Sequence, residues 1–494
     1  MKLTMHADKF HALYFGRASA EKDFAGDPEK FFRTYLDRYD IPARVANHER
    51  FLLLGPKGSG KSAAARYVDE SWRREMGVGL VYSEYIDFDQ VNQTQSPLSS
   101  ITNQLVSHEI TTATDSAWRL FIAIKFLMSL VRDDSSSLAH DSKAQSLLRK
   151  LEDQGLADRD YPNVLRKVRE RKISMGFSAL FDGLGLRGGR EDRTWETDQW
   201  SPAQIATALL ALVLRDQTVS RHLLAIDGLD KSIGDNRAYW DTIASLIRVG
   251  NELNTRFTGS NFYLLIMCRS DVFRRVRFSD SAEILADSSI RIEWGAEAAH
   301  AKEVALWDYL AKKAEISRQD LLGIVPSSIP VGKDGRVAGV QYIVESTRYT
   351  PRDFSVLFQA IQSQAPRGEL PTPQSVRKAR DEFARNHFLN ELESEAHGLL
   401  QDKVITGLPR FISALQKRRV NRSDVVQAMA SASLPKDLTV AELGEYLFVQ
   451  GALGNYDPNS GYTQFYHRRD ANQFNPRGPW ELHTSLTYAF NLDW

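Results

Sequence analysis

The chain has almost no cysteine: Cys268 is the only one among 494 residues. A lone thiol excludes an intrachain disulfide and any cysteine-based zinc cluster. It closes the apolar run Phe262–Cys268, where a small buried hydrophobe is expected. Excess charge of one sign is also missing, since Lys plus Arg and Asp plus Glu both number 63. That excludes a whole-molecule polyanion binder, so any nucleic-acid contact must come from a local basic patch. Long hydrophobic runs are absent as well. The longest, Trp118 to Val131, is broken by Arg119 and Lys125. It is too short and too charged to span a bilayer and reads as a core-packed helix. The opening residues Met1–Lys9 turn polar at once, unlike a secretory signal. A cytoplasmic protein with no membrane contact is the expectation. There is no internal repeat and no low-complexity tract.

What is present begins with Gly55-Pro56-Lys57-Gly58-Ser59-Gly60-Lys61-Ser62, a G-x-x-x-x-G-K-S loop. The apolar run Phe51–Leu54 precedes it and reads as a buried parallel strand. Ala63-Ala64-Ala65-Arg66-Tyr67 follows and suits the first turns of a helix. On a strand–loop–helix turn, glycines let successive backbone N–H groups curl around an anion, and the helix N-terminus adds its positive dipole end. The loop from Gly55 to Ala63 is therefore expected to bind the phosphates of ATP. Lys61 would reach the β- and γ-phosphates, and the Ser62 hydroxyl would bind Mg²⁺.

A chain of this length implies roughly two to four domains. Residues 1–47 read as a helical adapter packing on the nucleotide domain, with Phe10, Tyr14, Phe15, Phe31, Phe32 and Tyr35 as apolar anchors. Residues 48–297 read as the nucleotide-binding core, with strands at Leu80–Phe88, Leu223–Ile226, Phe262–Cys268 and Ile290–Trp294. Helices are expected at Ser201–Leu214 and Asn236–Leu253. Strands alternating with helices after such a loop imply an α/β sandwich with a mainly parallel sheet. Residues 135–199 break the pattern and read as an insertion with a mobile loop around Gly183-Leu184-Gly185. Residues 298–400 read as a helical lid. Residues 401–494 hold short helices at Leu408–Leu415, Arg422–Met429 and Val440–Val449. A turn at Tyr456–Tyr462 follows. Three helices and a hairpin are the order of a winged helix.

Further constellations carry chemistry. Leu223-Leu224-Ala225-Ile226-Asp227 is an apolar strand ending in Asp, and a carboxylate there can hold Mg²⁺ beside Ser62. Asp230 could orient the attacking water or could cap a turn. Arg269, just past the strand Phe262–Cys268, could sense the γ-phosphate or could pair with Asp271 or Asp227. In Thr350-Pro351-Arg352-Asp353, Thr350 suits a helix N-cap and Pro351 the first turn. That leaves Arg352 to reach the nucleotide from the lid. Arg410, Lys417, Arg418, Arg419, Arg422, His467, Arg468, Arg469 and Arg477 form a basic set around the C-terminal module. DNA or RNA contact, through Arg468 and Arg469 above all, is one reading; a solvated face or a protein-docking surface is the other.

Together the loop, the Asp227 strand end, Arg269 and the winged-helix order resemble bacterial AAA+/STAND-type P-loop ATPases, relatives of the origin-recognition and NACHT-like groups. More narrowly the chain looks like stand-alone bacterial ATPases that share an opening like Phe15-Gly16-Arg17-Ala18-Ser19-Ala20-Glu21. They also share the Lys57–Ser62 loop, Arg269-Ser270-Asp271-Val272-Phe273 and Pro351-Arg352-Asp353. The resemblance implies an added-strand P-loop core, a helical lid, and a winged helix that opens or closes with nucleotide. It implies a switch that self-associates and controls a separate effector chain, in a setting of anti-phage defence. Two positions depart from the pattern: Gly228 stands where AAA+ enzymes usually place Glu, and Lys231 where STAND proteins often place an acid. Slow hydrolysis is the consequence expected. The alternatives are an origin-recognition-like DNA-binding ATPase, a small-molecule kinase, and a scaffold that binds ATP without turnover.

Overall fold

The computed structural model describes residues 7–87, 107–153, 201–229, 237–276, 278–295, 298–332, 335–397, 399–468 and 472–492. Asp230, Arg469 and the 154–199 part of the insertion lie outside the described residues. The chain divides into two compact units. One comprises Met1–Leu36, Gly55–Ala63 and Ile292–Trp494; the other comprises Asp37–Leu54 and Ala64–Arg291.

The second unit is built on a five-stranded sheet. Its strands are β1 (Leu52–Gly55), β2 (Val81–Asp87), β3 (Arg221–Asp227), β4 (Phe262–Arg269) and β5 (Ser289–Arg291), in the order β2-β3-β4-β1-β5. The pairs β2–β3, β3–β4 and β1–β5 are parallel, and Ile266 N–H donates to the Phe51 carbonyl at 2.8 Å to tie β4 to β1. β4 thus stands between β1 and β3, the added strand of the P-loop NTPase fold. Every residue of β1 and β4 is buried, which is why both read as unbroken apolar runs rather than alternating ones. Cys268 is one of them, buried as a small hydrophobe. Parallel strands send their carboxyl ends to one edge, where α/β folds bind ligands. Leu54, Asp227 and Arg269 arrive there.

Helices cover the sheet. Ser107–Val131 packs against Pro202–Arg215, and both bury apolar side chains from Trp118 to Leu130 and from Ile205 to Val213. The run broken by Arg119 and Lys125 is therefore a core helix: its two cations escape by pairing, Arg119 with Glu252 and Lys125 with Glu84. Pro202–Arg215 starts on a full capping box between Ser201 and Gln204.

The first unit joins the N-terminal residues, the loop Gly55–Ala63, the lid and the C-terminal module. The adapter segment buries Phe10 and Phe15 in the core of the lid, beside Trp307, Phe354 and Phe358. Gln362 fixes it by donating to the carbonyls of Phe10 and Leu13, each at 2.9 Å. The sequence expectation placed this segment on the nucleotide domain; its residues from Asp37 on belong to the sheet unit, while Phe10 and Phe15 lie in the core of the lid. The lid also contains a hairpin, β6 (Ser328–Val331) and β7 (Gly335–Ala338), in a region read from sequence as mainly helical. The C-terminal module has helices Asp402–Leu415, Arg422–Ser431 and Val440–Val449 and the strands β8 (Arg419–Val420), β9 (Leu453–Tyr456), β10 (Thr463–Gln464) and β11 (Trp480–Leu482). Helices and hairpin come in the expected order, but β8 and β11 enlarge the hairpin to a four-stranded sheet.

Candidate functional site

The loop after β1 owes its shape to glycine. Gly58 has φ +79° and Gly60 φ +101°, a region closed to most side chains. A Cβ on Gly58 would also lie 3.0 Å from the Cβ of Arg352. Ser59 N–H donates back to the Pro56 carbonyl at 3.2 Å, closing the turn. Trp294 Nε1 donates to the Ser59 carbonyl at 2.9 Å and holds the loop from outside. Lys61 is only 9% exposed, and its Nζ donates to the carbonyls of Gly55 (2.9 Å) and Pro56 (3.1 Å). An ammonium held over the loop's own carbonyls sits where an anion cupped by the loop would meet it. Ser62 and Ala63 follow on the first turn of the helix Lys61–Met76.

Lys57 points elsewhere. Its Nζ lies 3.0 Å from Glu391 and 3.8 Å from Glu395. The lid supplies the remaining partners. The helix Pro351–Gln364 begins as the sequence dictates, with Thr350 accepting from Asp353 N–H and Pro351 in the first turn. Arg352 is thereby set against the loop: its backbone N–H meets the Gly58 carbonyl at 3.4 Å. Its Nε donates to the Ala18 carbonyl at 3.0 Å, and its Nη1 lies 3.4 Å from Glu391. Ala18, within the Phe15–Glu21 opening, thus helps to hold Arg352.

Behind Arg352, Asp353 is fully buried. It accepts from Arg348 N, Nε and Nη2, all at 3.0 Å, and from His387 Nε2 at 3.0 Å. Burial pushes the Asp353 carboxyl up, but Arg348 and His387 overcome it and hold it well below the usual carboxylate range. Burial likewise raises Glu391, and Lys57 and then Arg352 bring it below the usual glutamate range. A small polar cavity opens beside Lys57, with Arg348, Glu395, Gln450 and His467 in its wall. Sequence reasoning missed Arg348, His387, Glu391 and Glu395. The only signal available was the four-residue spacing of the last three on a helical face.

In the sheet unit, Asp227 Oδ1 accepts the Gly228 N–H at 2.8 Å, and Gly228 takes φ +77°. Strand register sets Asp87 of β2 directly beside Asp227, a second carboxylate at this edge that the sequence did not single out. Arg269 forms a two-pronged pair with Asp271, Nε to Oδ1 at 2.9 Å and Nη2 to Oδ2 at 2.6 Å, both residues buried. Arg269 thus has an ion pair with Asp271, buried rather than at the surface.

In the C-terminal module, Arg418 and Arg419 both pair with Glu481, Lys417 pairs with Asp424, and Arg468 stands 3.9 Å from Glu345. The helix Val440–Val449 exposes Ala441, Glu442 and Glu445 and buries most of the rest. Among the described residues no group of three or more His, Cys, Asp or Glu is arranged to hold a metal ion, and no helix is long and apolar enough to cross a membrane.

No protein-family model and no curated protein matches the chain. Among solved structures it is similar to the Aeropyrum pernix ORC1 protein in complex with DNA, at 13% identity and a TM-score of 0.36, over 93% of this chain and 94% of that one. Function is therefore read from the residues of the site.

Proposed function

We propose that the chain is a Mg²⁺-dependent ATP-binding switch with slow ATPase activity. The observation that carries this is the Gly55–Ser62 loop: two positive-φ glycines, a closed turn, and Lys61 drawn over it. That cradle fits a phosphate group, since two of its glycines take φ values closed to most side chains and its cation already seeks oxygen. In this reading Lys61 neutralises the β- and γ-phosphates, and Gly55 to Ala63 orient them. Ser62 and Asp227 take the metal-holding roles that their places in the sequence give them, each with the hard oxygen that Mg²⁺ prefers. When bound, the cation neutralises charge developing on the phosphates. Asp230 keeps the water-orienting role that its place in the sequence gives it. Gly228 offers no carboxylate, so turnover is slow. Arg352 reports occupancy of the loop to the lid, and Arg269 does so only on leaving Asp271. The output partner, a separate effector chain, rests on the resemblance alone, as does self-association.

Two observations favour a switch over a DNA reader. The third helix of the C-terminal module shows an acidic face, which phosphate backbones repel. Its neighbouring cations already hold carboxylates.

Phosphate release from ATP in Mg²⁺ buffer tests the enzyme. Wild type is expected to turn over, and Lys61→Ala to lose about 10²-fold or more. Equal release from the two proteins would leave only a scaffold.

A further inference from the structure

Three cations and three carboxylates meet at the loop. Lys57, Arg352 and Arg348 face Glu391, Glu395 and Asp353 in one chain of ion pairs. Asp353 comes from the helix Pro351–Gln364, whereas Glu391 and Glu395 share another helix. A π-helical turn, Ala384–Phe388, precedes the helix Leu389–Ala396, and such turns re-aim the residues that follow. His387, Glu391 and Glu395 then repeat every four residues along one face. The upper member holds Asp353 and the lower two hold Lys57. The same helix is tied to the C-terminal module, because Tyr446 Oη donates to the Leu392 carbonyl.

Charge at this junction is balanced, three against three. A polyphosphate docking on the loop brings several negative charges to the cations of that loop. They then compete with carboxylates for the same two partners, Lys57 and Arg352. We propose that Glu391 and Glu395 set the nucleotide affinity of the loop. They hold Lys57 and Arg352 in the arrangement seen here, and a bound nucleoside triphosphate takes both cations over and frees the helix Leu389–Ala396. The exchange rests on the nucleotide reading above and gives that switch a mechanical output. Loss of the loop contact leaves Leu389–Ala396 anchored only through its lid and C-terminal partners. Glu391 and Glu395 are positioning residues; neither touches the reacting phosphate.

The test is calorimetric titration of the full chain with ATP and with ADP in Mg²⁺ buffer. Glu391→Gln keeps the shape and removes the competing charge. It is expected to tighten ATP binding about five- to tenfold, and ADP binding less. The gain is expected to vanish in a Lys57→Ala background, which a merely structural role for Glu391 would not produce. Hydrogen exchange of residues 389–396 is expected to speed up when ATP binds wild type. Glu395→Gln gives the same readings should Glu391→Gln not fold. ATP affinity unchanged or weakened by these variants, in a wild type that binds ATP, overturns the exchange alone. A wild type that binds no ATP overturns the nucleotide reading and the exchange with it.

Discussion

Lys57 and Lys61 stand four residues apart on one loop and spend their charge differently. Lys61 turns inward onto the loop carbonyls, and Lys57 turns outward to two carboxylates. The place of the first was legible, because a G-x-x-x-x-G-K-S loop fixes its lysine by spacing. The second was not, because Glu391 and Glu395 come from the far end of the lid and nothing local marks them. His483 shows the same limit. It reads as one more polar residue after β11, yet it is 2% exposed. Its Nδ1 accepts the Ser485 N–H, so its Nε2 carries the proton and donates to the Thr347 carbonyl, both at 3.2 Å. Burial pushes its pKa down to about 3, with Arg348 and Arg468 adding to the shift and Thr347 and Asp353 opposing it. The folded state therefore keeps His483 neutral while the unfolded chain takes up a proton below about pH 6.5. Its stabilising contribution is whole above that pH and falls as pH drops from there toward 3. The slope is about 1.4 kcal/mol per pH unit. Urea unfolding is expected to show wild type losing about half that much more than His483→Gln between pH 7 and 6, and close to the full slope between pH 6 and 5. Parallel losses would refute the assignment.

Elements followed their local chemistry wherever the signal was complete. The strands β1, β3 and β4 are apolar runs and were read within a residue or two. The lid helix starts where Thr350 and Pro351 place it. Where the signal was mixed, packing decided. The sequence reading began the first helix of the C-terminal module at Leu408; the helix runs Asp402–Leu415, through Gly407 and Pro409. A Cβ at Gly407 would come within 2.4 Å of Leu434 Cδ2, so that side chain would have to shift. The β6–β7 hairpin was missed although Gly332-Lys333-Asp334-Gly335 is a strong turn signal, because the flanking strands are only four residues each. Thr350 makes an element-scale prediction. Thr350→Ala removes the cap of the lid helix and is expected to cost about 1 kcal/mol. Hydrogen exchange of residues 351–364 would rise about fivefold, while the sheet strands keep their protection. Unchanged exchange at the lid would show that packing alone holds that helix end.

At the scale of the molecule, the P-loop fold of the sheet unit was legible because alternating strands and helices after a glycine loop admit few topologies. The insertion was read from a break in that pattern, and its residues 154–199 lie outside the described structure. The grouping of the N-terminal segment with the lid was not legible, because aromatic anchors declare that they are buried but not against what. What the molecule gains is a loop whose two lysines answer to different partners: one to the phosphate it would hold, the other to the helix that leads toward the C-terminal module. The central claim is that this loop binds ATP through Lys61. Calorimetry of ATP with Mg²⁺ against wild type and Lys61→Ala tests it most directly. The account predicts saturable one-site binding to wild type and at least about tenfold weaker binding to Lys61→Ala. Equal affinities for the two proteins, or no heat from wild type, would contradict it.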